Sequence, residues 1–315
     1  MGKIAFVFPG QGSQTVGMGK SLAEHHSDVQ AYFHKADETL KTPLSKLIFE
    51  GPQEELTLTE NAQPALLTTS IAVLEFFRTT GIQPDYVAGH SLGEYTALVA
   101  AGALTFEEGV YLVRRRGEFM EKAVPNGEGT MAAVLGLERE PLTEVTSEVT
   151  QSGYPVQLAN LNCPGQIVIS GSAKGVELAG GKAKERGAKR VIPLVVSGPF
   201  HSSLMKPAAA QLQAELAQIE MKNAAIPVVA NVSAEPMSDA SEIKEKLIEQ
   251  LYSPVLWEDS VRKMLELGVD TFIEIGPGKV LSGLIKKIDR NAKTYSVSDE
   301  ETAHAVIESL KEENR

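Results

Sequence analysis

The first third of the chain alternates short apolar runs with longer segments of helical periodicity. Residues 4–8 form a continuous apolar run that ends at Pro9-Gly10, as expected of a strand buried in a parallel sheet. The elements predicted after this strand are helices to about residue 47, a helix at 63–80, a strand at 85–88, and helices at 94–101 and 106–124. This alternation predicts an α/β fold.

A change of pattern between residues 126 and 197 indicates a second structural unit. Its predicted elements are strands at 131–135, 156–161, 166–170 and 190–195, and helices at 138–150 and 173–186. Their order, βαββαβ, is that of a ferredoxin-like unit. We therefore predict a small ferredoxin-like subdomain at 126–197, inserted into a larger α/β subdomain made of residues 1–125 and 198–315.

The rest of the chain returns to alternating elements that complete the larger subdomain. The predicted elements are helices at 202–219, 243–251 and 261–267, strands at 227–232 and 271–275, and a last helix that begins after Gly276-Pro277-Gly278.

The most informative motif is GHSLG at residues 89–93, a G-x-S-x-G pattern between a predicted strand and a predicted helix. Such a turn lifts a serine hydroxyl off a sheet, and small neighbours relieve the crowding of its strained backbone. An ordinary glycine-punctuated turn is the alternative. The flanking elements favour Ser91 as a nucleophile and make the larger subdomain α/β-hydrolase-like.

A serine nucleophile needs a base within hydrogen-bond reach, and histidine is the usual one. Four of the six histidines lie on an early polar helix or near the tail, where solvated or structural roles are expected: His25, His26, His34 and His304. His90 adjoins Ser91, but neighbouring side chains at a sharp turn point apart. That leaves His201, which lies where a glycine-proline turn enters a helix. A role as the base is therefore favoured for it over a capping or packing role.

The glycine-rich loop PGQGSQ at residues 9–14 directly follows the first strand. It fits neither phosphate-binding motif, because the third glycine of G-x-G-x-x-G would fall at Thr15 and the first glycine of a P-loop at Gln14. Such a loop can instead aim a backbone N–H at a developing oxyanion, together with the residue after the nucleophile. Gln11 and Leu92 are the candidates, and a plain tight turn is the alternative.

Three consecutive arginines, Arg114 to Arg116, lie late on a predicted helix that could line the cleft. One of them could bind a substrate carboxylate in a bidentate fork. Three successive residues cannot share one helical face, so a solvated helix end is the expected place for the other two.

Composition excludes several classes of function. The 41 acidic residues against 30 basic ones leave a net charge of −11, which gives nonspecific nucleic-acid binding no electrostatic support. The single cysteine, Cys163, and the absence of H-E-x-x-H and C-x-x-C motifs give no support to metal catalysis. Without a signal peptide or an apolar run of bilayer length, we expect a cytoplasmic protein that does not associate with membranes.

Seven ordered blocks, spread over nearly the whole chain, closely resemble the malonyl-CoA:acyl carrier protein transacylase family. The blocks are FPGQGSQ at 8–14, GHSLGE at 89–94, RRRG at 114–117, NLNCPGQ at 160–166, GPFHSSLM at 198–205, QLYSPVLW at 250–257 and EIGPGKVLSGL at 274–284. The resemblance implies a ping-pong transfer that supplies fatty acid or polyketide synthesis. Ser91 would take malonyl from malonyl-CoA and pass it to the phosphopantetheine thiol of holo acyl carrier protein, with no bound cofactor.

The resemblance also implies roles for individual residues. His201 would act as base in both half-reactions, oriented by the main-chain carbonyl at Gln250 rather than by a carboxylate. Gln11 and Leu92 match the family's oxyanion-hole donors. Arg116 matches the residue that binds the malonyl carboxylate, because an anionic acyl group is costly to bury without a partner.

Two further positions match family residues of the acyl pocket. Asn160 matches a polar active-site residue. Phe200 resembles the version of its block in which a bulky ring leaves little room for an α-methyl branch, so malonyl is expected over methylmalonyl.

Carrier proteins of this kind are acidic, so the cleft mouth should offer them a basic surface. Two clusters are candidates, with solvated helix faces as the alternative. They are Lys182, Lys184, Arg186, Lys189 and Arg190 on the small subdomain, and Lys286, Lys287 and Arg290 on the predicted last helix. A monomer is expected.

Two other readings use the same residues. A serine esterase or thioesterase would share the elbow but release the acyl group to water, and Arg116 and the missing triad acid argue against it. A carrier-docking module with a vestigial site is the non-enzymatic reading, and intact Ser91 and His201 argue against that one.

Overall fold

Two β-sheets organise the computed structural model of the protein, which describes residues 2–313. The strands are β1 (Lys3–Phe8), β2 (Tyr86–Gly89), β3 (Gly129–Leu135), β4 (Val156–Cys163), β5 (Gln166–Ser172), β6 (Arg190–Pro193), β7 (Val228–Val229), β8 (Pro236–Met237), β9 (Val269–Ile275) and β10 (Lys293–Val297).

The helices surround these sheets. They are α1 (Lys20–His25), α2 (Ser27–Leu40), α3 (Leu44–Glu50), α4 (Gln53–Thr57), α5 (Thr59–Arg78), α6 (Leu92–Ala100), α7 (Phe106–Lys122), α8 (Arg139–Gln151), α9 (Ala173–Glu185), α10 (Lys206–Leu216), α11 (Ala240–Gln250), α12 (Trp257–Glu266), α13 (Val280–Ile288) and α14 (Glu300–Glu313), with a 3₁₀ turn at Ser203–Met205.

The larger sheet has the strand order β10-β9-β1-β2-β7-β8 and is parallel except for β8. Successive side chains of β1 belong to opposite cores, because neighbouring residues of a strand point to opposite faces. Phe6 and Phe8 pack in one core, and Ala5 and Val7 pack in the other. Burial on both faces explains why β1 is continuously apolar.

The smaller sheet is antiparallel, with the order β4-β5-β3-β6. Helices α8 and α9 pack on it and share its core, as Leu142, Val145 and Val176 illustrate. The predicted class, α/β with a parallel sheet and a second, ferredoxin-like unit, is confirmed. The subdomain boundaries at 125/126 and 197/198 stay predictions.

Three predicted elements differ from the structure. The strand expected at 227–232 is reduced to the two residues of β7, and the helix expected at 202–219 is a 3₁₀ turn followed by α10. The helix after Gly278 is not the last one, because β10 and α14 follow α13. Strand β10 is a sheet edge whose residues, except Val297, are exposed or half-buried, so it lacks the apolar run that signals a central strand.

The register of β1 and β2 positions the candidate site. Phe8 pairs with Gly89, so both strands end at the same level of the sheet. The loop after β1 and the turn after β2 therefore emerge side by side at the carboxyl edge, where open α/β sheets bind ligands.

Candidate active site

Ser91 lies on a sharp turn between β2 and α6. Its backbone has φ 53° and ψ −108°, a conformation that costs about 1–3 kcal/mol and persists only where the surroundings impose it. The chain turns so tightly that a Cβ on Gly89 would lie 1.9 Å from the carbonyl carbon of Gly93. This strained turn between a strand and a helix is the geometry expected of a nucleophile elbow.

A hydrogen-bonded chain leads from the serine to a main-chain carbonyl. The Ser91 Oγ lies 2.8 Å from Nε2 of His201, and Nδ1 of the same ring lies 2.8 Å from the carbonyl oxygen of Gln250. Because a carbonyl only accepts, Nδ1 carries the proton and Nε2 is free to accept from the hydroxyl. The pair is a Ser-His dyad oriented by the backbone.

Burial keeps the His201 ring neutral. The residue is 3% exposed, and desolvation, with help from the charge of Arg116, lowers its pKa to about 3. Its backbone has φ 57°, a left-handed conformation that is unusual outside glycine. Gln157 on β4 stabilises this conformation, donating to the carbonyl of His201 at 3.2 Å and accepting from the N–H of Ser203 at 2.9 Å.

The three arginines of α7 point in different directions, as helical geometry predicted. Arg114 donates to Asn61 Oδ1 at 2.7 Å, and the Nε of the half-buried Arg115 donates to Glu215 at 3.0 Å. Arg116 alone is fully buried and reaches the dyad.

The Arg116 guanidinium is held by neutral acceptors. Nη1 donates to Gln63 Oε1 at 2.7 Å, and Nη2 donates to Gln250 Oε1 at 2.9 Å and to Ser91 Oγ at 3.1 Å. Burial lowers its pKa, but a guanidinium remains charged in proteins. A buried cation without a carboxylate bonded to it can bind an anionic ligand.

A cavity of about 320 Å³ collects most of the predicted site residues. Six of them line it: Gln11, Ser91, Arg116, Asn160, Phe200 and His201. Leu92, the first residue of α6, and Gln250, the last of α11, are buried in the layer beneath. The structure thus brings all eight predicted residues to one place.

The loop after β1 packs directly against the elbow. A Cβ on Gly10 would lie 2.4 Å from the carbonyl oxygen of His90, so only glycine allows this approach. Gln11, the next residue, lines the same cavity as Ser91. His90 turns away from the serine, and its Nε2 lies 2.8 Å from Asn162 Oδ1.

Sequence reasoning missed three polar residues that surround the dyad. Gln63, Glu94 and Asn231 are each at most 1% exposed. Gln63 lies within the largely apolar stretch of α5, and Glu94 ends the GHSLGE block; a polar residue in such surroundings was the available signal. Asn231 follows β7 and carried no signal of its own.

The described residues include no group of three or more His, Cys, Asp and Glu side chains that could hold a metal ion. Within the same part of the chain, no helix is long and apolar enough to cross a bilayer. Chemically, the arrangement offers an activated hydroxyl, a neutral base and a buried cation around one cavity.

Comparison with known proteins supports acyl transfer. The family model of the acyl transferase domain matches residues 5–313. The malonyl CoA-acyl carrier protein transacylase of Bacillus subtilis is 66% identical over 314 residues, which cover 100% of this chain and 99% of the relative.

Solved structures of transacylases are also similar to this chain. An acyl carrier protein S-malonyltransferase of Vibrio cholerae has a TM-score of 0.94 and 46% identity, covering 96% of this chain and 99% of that one. A malonyl-transacylase solved with its type II PKS acyl-carrier protein has a TM-score of 0.94 and 43% identity, covering 98% of this chain and 99% of that one. The chain therefore belongs to the malonyl-CoA:acyl carrier protein transacylase family and is an acyltransferase.

Proposed function

We propose that this enzyme transfers malonyl from malonyl-CoA to the phosphopantetheine thiol of holo acyl carrier protein through a malonyl-Ser91 intermediate. The observation that carries the proposal is the contact between a dyad serine and a buried arginine, with 3.1 Å between Ser91 Oγ and Arg116 Nη2. The names of the relatives support the malonyl and carrier substrates.

In the first half-reaction, Ser91 Oγ attacks the thioester carbonyl carbon while His201 Nε2 takes the hydroxyl proton. The tetrahedral intermediate collapses, the C–S bond breaks, and the imidazolium returns its proton to the departing thiolate of coenzyme A. The Gln250 carbonyl stabilises the imidazolium by accepting its Nδ1–H, which is the role of the carboxylate in a triad.

The oxyanion of that intermediate would take the backbone N–H groups of Gln11 and Leu92. Leu92 is the first residue of α6, so its N–H has no acceptor within the helix. The close packing of Gly10 on the elbow supports Gln11 as the second donor, because Gln11 directly follows Gly10. Losing one such donor typically costs about 10²–10³ in rate.

In the second half-reaction, the carrier thiol replaces coenzyme A. His201 accepts the thiol proton, the sulfur attacks the malonyl-serine carbonyl, and the C–O bond to Ser91 breaks as the hydroxyl regains the proton. Transfer requires the thiol to react faster than water.

Substrate selection would come from the cavity wall. The Arg116 guanidinium pairs with the free carboxylate of malonyl, which simple acyl groups lack. The Phe200 ring, 6% exposed, narrows the space beside the α-carbon. Asn160 lines the same cavity, and its amide would form a hydrogen bond with the acyl or pantetheine chain.

We place the carrier at one end of the small sheet, where the two basic clusters converge. Leu135 on β3 pairs with both Gln166 and Arg190, and the Lys287 Nζ on α13 lies 3.3 Å from Gln166 Oε1. Arg190 and Lys287 are exposed, and so is Lys189.

Other members of the first cluster are neutralised by acids on α8. Lys182 pairs with Glu148 at 2.7 Å, and Arg186 pairs with Glu144 at 3.1 Å. They offer less net charge to an acidic carrier.

The proposal is tested by intact-mass spectrometry of the enzyme mixed with malonyl-CoA, before and after addition of holo acyl carrier protein. We expect a malonyl adduct on Ser91 that moves to the carrier, and no adduct with Ser91→Ala. Release of malonate to water at a comparable rate would favour a thioesterase. Absence of an adduct with any acyl-CoA would favour a docking module.

A further inference from the structure

A buried carboxylate beneath the elbow has no part in the proposed chemistry. Glu94, on the first turn of α6, is 1% exposed. Burial raises its pKa to about 7, against the opposing effect of hydrogen bonds from Gln250 and Asn231 and of the charge of Arg116. A carboxylate is costly to keep in such a place, so its contacts need an explanation.

One oxygen of Glu94 binds Asn231, whose side chain forms two hydrogen bonds to the elbow. Its Oε2 accepts from the backbone N–H of Asn231 at 3.2 Å. The Asn231 side chain accepts from the N–H of Ser91 at 2.8 Å and donates to the carbonyl of Gly89 at 2.7 Å. The strained turn is therefore supported from below by a group that Glu94 fixes.

The same oxygen binds Gln250, which is hydrogen-bonded to Ser91, His201 and Arg116. Gln250 Nε2 donates to Glu94 Oε2 at 2.7 Å and to the Ser91 carbonyl at 3.0 Å. Its Oε1 accepts from Arg116 at 2.9 Å, and its main-chain oxygen orients His201 at 2.8 Å. A shift of this one residue would move the base and the arginine together.

We propose that Glu94 is a positioning residue for acyl transfer, which anchors the Gln250 amide and Asn231 and thereby sets Ser91, His201 and Arg116 relative to one another. The inference rests on the proposed function of the site.

The indirect arrangement has a physical rationale. A carboxylate bonded directly to the guanidinium would compete with the substrate carboxylate for the same N–H groups. The Gln250 amide transmits the position of Glu94 to Arg116 and leaves the guanidinium with neutral partners only.

The test compares two substitutions that separate reach from charge. Glu94→Gln keeps an oxygen at the same distance without the charge, and Glu94→Asp keeps the charge but withdraws the oxygen by about 1.5 Å, one C–C bond. The readout is the single-turnover rate of Ser91 acylation by malonyl-CoA and by acetyl-CoA. Each rate is normalised to the amount of enzyme that can be acylated, so that misfolded protein does not count.

We expect Glu94→Asp to acylate at least about tenfold more slowly with both substrates, since misplacement of about 1 Å can cost on the order of a hundredfold. The malonyl rate should fall further than the acetyl rate, because Arg116 also moves. Glu94→Gln should stay within about threefold of wild type, since its carbonyl can accept both hydrogen bonds.

Glu274→Asp is the matched control, because Glu274 is equally buried but accepts from the N–H groups of Leu281 and Ser282 at the start of α13. It should acylate at the wild-type rate. The inference is overturned if Glu94→Asp acylates at the wild-type rate, or if Glu94→Gln acylates as slowly as Glu94→Asp. A wild-type enzyme that forms no malonyl-serine would instead refute the proposed function.

Discussion

Arg116 offers the sharpest test of malonyl selection. The substitution Arg116→Ala removes a guanidinium that is 0% exposed and that contacts Gln63, Gln250 and Ser91. A malonyl carboxylate would then enter a buried pocket without a cationic partner. Acetyl-CoA, which has no such carboxylate, would lose only the contacts of Arg116 with Ser91, Gln63 and Gln250, which both reactions share.

The two substrates should therefore respond by different amounts. Truncating one partner of a buried charge pair costs about 2–5 kcal/mol, which corresponds to about 30-fold to several thousandfold in rate. The bond to Ser91 Oγ is shared by both reactions, and one hydrogen bond contributes about 0.5–1.5 kcal/mol, or up to about tenfold. The ratio of malonyl to acetyl acylation should fall by about 30-fold or more.

The assay is rapid-quench mass spectrometry of acyl-Ser91 with each acyl-CoA in turn. Arg115→Ala is the matched control, since Arg115 is the next residue of α7 but binds Glu215 outside the cavity. Arg116→Met separates lost charge from lost volume, because methionine fills much of the same space. An unchanged malonyl-to-acetyl ratio in Arg116→Ala and Arg116→Met would refute the carboxylate role.

Three further predictions concern the base, the cavity wall and the carrier surface. Because the pKa of His201 is lowered to about 3, the neutral base persists as pH falls through 6.5, and kcat/KM for acylation should stay level between about pH 8 and pH 5.5; an acidic limb near pH 6.5 would contradict this. Phe200→Ala should raise methylmalonyl-CoA acylation by about 10-fold to 200-fold relative to malonyl-CoA, measured by competition, and no change would refute its steric role. Lys287→Glu should raise the KM for holo carrier about tenfold at low salt but leave transfer to free pantetheine unchanged. Lys182→Glu should raise that KM far less, because Lys182 is already paired with Glu148. Equal effects of the two substitutions would reject this docking surface.

Several features of the site followed from local sequence because they depend on a few adjacent residues. The elbow needs small residues around Ser91, and the motif shows them. Three consecutive arginines on a helix must diverge, and Arg114, Arg115 and Arg116 do so. The alternation of elements was enough to predict the α/β class and the βαββαβ unit.

The sequence by itself thus determined the elements that bear the reacting groups, because backbone preference and periodicity are local properties. Only the tertiary structure decided that Ser91 and His201, 110 residues apart, lie 2.8 Å from each other. It also decided that the Asn231 side chain accepts from the Ser91 N–H and that Glu94 accepts from the N–H of Asn231. Buried and exposed polar residues look alike in a sequence, since burial depends on which elements pack over them, and that packing is set by contacts between distant segments.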